Sequence, residues 1–158
     1  MSVREQINHI DQLKARLTDI ASGIVKEHAE EIINVIQDNQ LGIGQNSQGK
    51  ALSWSGGNGY YSPNTQAHAD ASRTYSGEYS KPAHGRYNFN WSGETFAFMD
   101  LFTEKDGFTI FTKSGKQDYL ESIYGEIFKL TEKNNTWVNE NIIFPKLSEY
   151  VLDNLFLM

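Results

Sequence analysis

The stretch from Gly42 to Gly93 constrains this chain more than any other feature. Glycine, serine, asparagine and glutamine dominate it, and no helical or strand period of apolar residues runs through it. Connections between elements usually take about 4–6 residues, so this stretch is too long for an ordinary link. Such a segment is a binding loop, or one that orders against a partner. Trp54, Tyr60, Tyr61, Tyr75, Tyr79, Tyr87 and Trp91 are scattered through it. Aromatic side chains beside asparagine and glycine provide large contact area at low entropic cost, which makes these seven the candidate interface residues. The stretch also reverses the local sign of charge. Only Asp70 and Glu78 oppose Lys50, Arg73, Lys81 and Arg86, the candidate basic contacts.

Periodic sequence flanks this middle on both sides. Ile10, Leu13, Leu17, Ile20 and Ile24 keep one stripe of a helix over 3–22, which Gly23 ends or kinks. A second helix is expected over 24–40, with Val25, Ala29, Ile32, Ile33 and Ile36 on one face and Lys26, Glu27, Glu30, Glu31 and Asp38 on the other. Both stripes suit core packing or a helical hairpin, or alternatively a seam for another subunit, a reading open to the first helix as well. Residues 94–114 read as a β-hairpin, with strands over 95–102 and 107–112 and an Asp-Gly turn at Asp106-Gly107. Phe96 and Met99, three apart, leave open a helical turn at its start. A short helix through Tyr119, Leu120, Ile123 and Tyr124 stops at Gly125. A last helix is expected over about 133–155, capped by Asn134 or Asn135 and kinked or broken near Ile142 by Pro145.

The expected fold is α+β: N-terminal helices and a C-terminal helix on a small antiparallel sheet, with a long extended middle loop. One domain over 1–158 divides into a helical part (1–41), the loop or arm (42–93), the hairpin (94–114) and a C-terminal helical part (115–158). At 158 residues the chain can bury one core. A net charge of −6 argues against general nucleic-acid binding, which depends on cations meeting phosphates. With no cysteine, disulfides, thiolate metal sites and cysteine nucleophiles are excluded. Neither an apolar leader nor a run long enough to span a bilayer is visible, so no membrane role is expected.

Catalytic chemistry finds little footing. Of His9, His28, His68 and His84, only His68 has a possible co-ligand nearby, Asp70, whereas a metal site needs three or four convergent ligands. Ser92 lacks a nucleophile elbow. Gly42-Ile43-Gly44 lacks the third glycine and the flanking strand of a dinucleotide loop, and reads as the stop of the second helix. No catalytic, cofactor-binding or metal residue is assigned, and the chain is expected not to be an enzyme. The loop aromatics, Trp54, Tyr60, Tyr61 and Trp91 among them, could alternatively serve a small ligand, carbohydrate or peptide.

Three short segments carry a family resemblance. Asp38-Asn39-Gln40-Leu41-Gly42 followed by Gly49-Lys50-Ala51-Leu52 resembles a helix end and Gly-Lys-x-Leu turn leading into a Tyr-rich loop. Trp91-Ser92-Gly93-Glu94-Thr95-Phe96 resembles a Thr-Gly-Asp-Phe element that starts the following strand. Tyr124-Gly125-Glu126-Ile127-Phe128-Lys129-Leu130-Thr131 resembles a Tyr-Gly-x-x-Phe-Gly-Leu-Thr element before a C-terminal helix, with Lys129 where glycine is common. In these segments and their order the chain is similar to the head-tail joining, tail-completion or minor tail proteins of tailed bacteriophages and prophages, in versions carried by Bacteroides-type bacteria. The resemblance implies a virion structural role in the neck or tail, assembled in the host cytoplasm. It also implies a ring homo-oligomer in contact with other neck and tail proteins. Contact with phage DNA through Lys50, Arg73, Lys81 and Arg86 is compatible with that role, and steep salt dependence would mark it.

Overall fold

The computed structural model describes residues 2–53, 59–65, 67 and 94–156. The described chain is α+β, mostly helical, with one two-stranded antiparallel sheet. Helix α1 (Val3–Glu27) starts at a capping box: the Ser2 hydroxyl accepts from Glu5 N while the Glu5 carboxylate accepts from Ser2 N. It runs straight through Gly23, contrary to the expected stop there. A helical glycine costs about 1 kcal/mol, less than the burial of Ile24 and Val25 beside it returns. The break falls instead at His28, before α2 (Ala29–Ile36).

Helix α2 passes into a π-helical turn, Gln37–Leu41, closed by Gly42 N donating to Gln37 O at 2.6 Å. Widening the turn places Gln40 and Leu41 side by side in the interior, both 0% exposed. A Cβ on Gly42 would lie 2.6 Å from Gln37 O, a backbone atom with no room to yield. Gly42→Ala is therefore expected to destabilise by about 1–3 kcal/mol, measured as a lower urea midpoint at unchanged slope.

The first part of the expected arm is folded onto the body. Gln45 and Ala51 form an antiparallel bridge, the Asn46 side chain accepts from Gln48 N and Lys50 N at 3.0 Å each, and Ser47 N donates to Glu126 O. Leu52 anchors this turn in the core at 2% exposure, an apolar contact that local composition does not reveal.

A helical turn, α3 (Glu94–Ala97), precedes β1 (Met99–Glu104) and β2 (Gly107–Thr112), so the strand expected over 95–102 starts four residues later. Register explains the shift. Glu104 pairs with Gly107 across Lys105-Asp106, and Met99 pairs with Thr112 at the far end. Gly107 is thus the first strand residue, not a loop residue. Met99, Leu101 and Ile110 face the core; Phe102 and Phe111 face out and meet edge to face at 5.8 Å.

Helix α4 (Gln117–Tyr124) stops at Gly125, whose φ of 75° favours glycine. Ile127, Phe128 and Leu130 then enter the core. Helix α5 (Glu132–Val138) is capped by Thr131, whose hydroxyl accepts from Asn134 N at 3.2 Å, and not by either asparagine. Asn134 is itself buried, one turn inside the helix. A second π-helical turn, Asn139–Ile143, joins α5 to α6 (Phe144–Phe156). Pro145 lacks an amide donor, and the widened turn just before it absorbs the mismatch where a kink or break was expected. The His9 ring contacts Asn154 O at 3.0 Å, tying the start of α1 to the end of α6. Val25, Ile32, Ile36, Leu101, Ile110, Phe128, Val138 and Ile142 share one core.

Candidate functional site

Three of the residues singled out in the middle stretch lie among those described. Tyr60 is exposed, in keeping with a contact role, and Lys50 is exposed at the tip of the Asn46 turn. Tyr61 departs from the expectation: at 4% exposure it is part of the interior and offers no contact area to a neighbour. Trp54, Tyr75, Tyr79, Tyr87, Trp91, Arg73, Lys81 and Arg86 lie outside the described residues, as do His68 and Asp70.

The described surface instead brings forward apolar groups that sequence reasoning gave to the core or left unmarked. Val3, Ile7 and Ile10 are 73%, 54% and 41% exposed, although their spacing puts them on one face of α1. The same stripe becomes buried farther along, at Leu13 and Ile24. Among the described residues, the helix therefore carries its apolar seam past the point where the chain covers it. Isolated exposed apolar residues are ordinary, but a row continuing a core stripe points to a partner surface.

A second surface lies on the outer face of the hairpin. Phe98 and Phe102 are about half exposed, and Phe111 stands beside Phe102. Lys113 bridges this face: its ammonium pairs with Asp100 and lies 5.9 Å from the Phe111 ring centroid. Hydrogen bonding from Lys113, then from Leu101 N, holds the Asp100 carboxyl below its ordinary range. This lowered carboxyl supports the fold above the ordinary carboxylate range, and that support is lost as pH falls through the lowered value.

The inner side of the hairpin borders a cleft of about 1110 Å³. Its walls come from α1 (Ser22, Val25), β2 (Phe108, Ile110), α4 (Gln117, Glu121), the Glu126–Leu130 segment, α5 (Glu132) and the π-helical turn after it (Asn139). The floor is apolar and the rim carries Lys105, Asp106, Glu121, Glu126, Lys129 and Glu132. Four acidic groups thus face two lysines, and Lys129 leans towards Glu126 at 3.9 Å. Such a cleft can take an extended, partly apolar ligand with positive charge at its edges.

Among the described residues, no group of three or more histidine or acidic side chains is placed to hold a metal ion, and no helix is long and apolar enough to cross a membrane. No family model, curated protein or solved structure matches the chain.

Proposed function

We propose that the protein is a non-enzymatic virion structural protein of a tailed phage, a tail-completion or head-tail connector subunit at the neck or tail junction that acts by ring assembly. The observation that carries the assembly role is the seam of α1, whose apolar row Val3, Ile7, Ile10 runs on into solvent from a buried stripe. The phage assignment rests on the resemblance of the three segments around Gln40, Trp91 and Tyr124. In this reading the partners are further copies of the chain and other neck and tail proteins, and the place of action is the virion.

The geometry of a ring suits the observed surfaces. A head-to-tail contact that closes needs two different patches on each subunit, and the α1 row and the hairpin face are two such patches. The rival reading, a ligand module built from the loop aromatics, loses Tyr61 to the interior, and so does the set of loop interface residues, so the assembly role rests on the α1 row.

Mass spectrometry of purified phage particles from a strain encoding the chain is expected to find it at a fixed, low copy number per particle. Light scattering of the isolated protein is expected to show a concentration-dependent oligomer. A chain absent from particles overturns the phage role, and a monomer at every concentration overturns assembly through its own copies.

A further inference from the structure

The hairpin has two edges, and the one on β2 borders the large cleft. The two-residue turn makes Glu104 and Gly107 the pair that exchanges hydrogen bonds, so every second residue pairs inward from there. The bond from Lys113 N to Phe98 O confirms the phase. Met99, Leu101 and Thr103 on β1, and Phe108, Ile110 and Thr112 on β2, therefore turn their N–H and C=O groups away from the hairpin.

On β1, the outward N–H of Leu101 is taken by the Asp100 carboxylate at 2.8 Å. On β2, the outward N–H of Thr112 is taken by Gln117 Oε1 at 3.2 Å. Between that cap and the turn, Phe108 and Ile110 carry the open section: no hydrogen bond from another described element reaches their outward groups. Ile110 is nevertheless only 3% exposed, where a main-chain group without a partner is costly. These residues form a wall of the large cleft.

We infer that this cleft is a strand-addition site, in which an extended segment of another polypeptide pairs with β2 at Phe108 and Ile110. Main-chain bonds to the edge supply affinity, and alternate side chains supply selectivity. One side of the added strand meets the apolar floor formed by Val25 and Phe128. The excess of acidic groups at the rim, with Glu121 and Glu132 unengaged by any lysine in the described chain, selects lysine or arginine at its other positions. The occupant is thus an extended segment alternating β-branched apolar and basic residues. This goes beyond assembly through α1 and does not depend on it.

The test uses the full chain and a short fluorescent peptide alternating valine and lysine, followed by fluorescence anisotropy and amide hydrogen exchange. The peptide is expected to bind and to slow exchange at the Phe108 and Ile110 amides. N-methylation of alternate peptide residues, which removes the donors on its pairing edge, is expected to weaken binding roughly tenfold or more. A peptide alternating valine and glutamate is expected to bind poorly to the unaltered chain and better to Glu121→Lys/Glu132→Lys. Absence of binding, protection confined to other amides, or indifference to N-methylation each overturns the inference. None of these results bears on oligomer formation, so its failure and that of the assembly proposal are separable.

Discussion

Gln40→Leu is expected to lower the unfolding free energy by about 3–5 kcal/mol, the largest single-residue effect outside the apolar core. Gln40 is fully buried, and its amide holds together two parts of the chain distant in sequence. Nε2 donates to Lys129 O at 2.8 Å and, more weakly, to Ile127 O at 3.4 Å. Oε1 accepts from Thr131 N at 2.8 Å and from Asn134 Nδ2 at 3.4 Å. Leucine fills a similar volume but leaves the Thr131 amide and the Ile127 carbonyl buried without partners, each at about 1–3 kcal/mol, and the part-buried Lys129 carbonyl without this donor. Some of that returns as apolar burial, which sets the lower end of the range.

The measurement is urea unfolding, with a lower midpoint at unchanged slope. Gln40→Glu is a sharper probe of the same arrangement. A carboxylate would face two carbonyl oxygens, so the folded state favours the protonated form and raises its pKa. Stability of that variant is expected to be greatest below the unfolded glutamate value of about 4.3 and to fall as pH rises through the raised value. A Gln40→Leu cost under about 1 kcal/mol would show that the network contributes little.

What the sequence made legible was local, and what it hid depended on long-range partners. The stripe through Leu13 and Ile24 and the stop at Gly125 follow from helix period and glycine backbone freedom, both written within a few residues. The hairpin was placed correctly, but its first strand began late because cross-strand register counts back from the turn and overrides the strand preference of Thr95 and Phe96. The cap at Thr131 was missed in favour of neighbouring asparagines, since either residue type suits the role and only the observed bond to Asn134 N decides.

Gln40 shows a signal that was available and went unused. It lies four residues after Ile36 on the apolar face of the second helix, where a polar side chain demands a buried partner. Its partners lie about ninety residues away, which no local pattern can disclose. Tyr60 and Tyr61 make the same point for the site. Adjacent and identical in type, one is exposed and the other interior, so composition could nominate both and distinguish neither.

Val3→Glu/Ile7→Glu is expected to weaken self-association about a hundredfold while leaving the folded subunit intact. Burying each of these side chains against a neighbour contributes about 1.5–3 kcal/mol at most, and part of this is offset by the ordering of side chains on association. A hundredfold change corresponds to about 2.7 kcal/mol, within reach of two such residues. Both are more than half exposed in the single chain, so the substitutions should move its own stability by no more than about 0.5 kcal/mol. The capping box at Ser2 and Glu5 is left in place, which keeps the helix start unchanged. Leu13→Glu supplies the contrast: Leu13 lies on the same stripe at 7% exposure, and its replacement should unfold the subunit before any question of association arises. Sedimentation velocity over a range of concentrations reads the first effect and thermal unfolding the second. Because the seam is apolar, its association should change little with added salt, unlike a contact made through Lys50 and nucleic acid. If the doubly substituted chain assembles as readily as the unaltered one, the exposed row on α1 is not the contact, and the hairpin face carrying Phe98 and Phe102 is the next surface to alter.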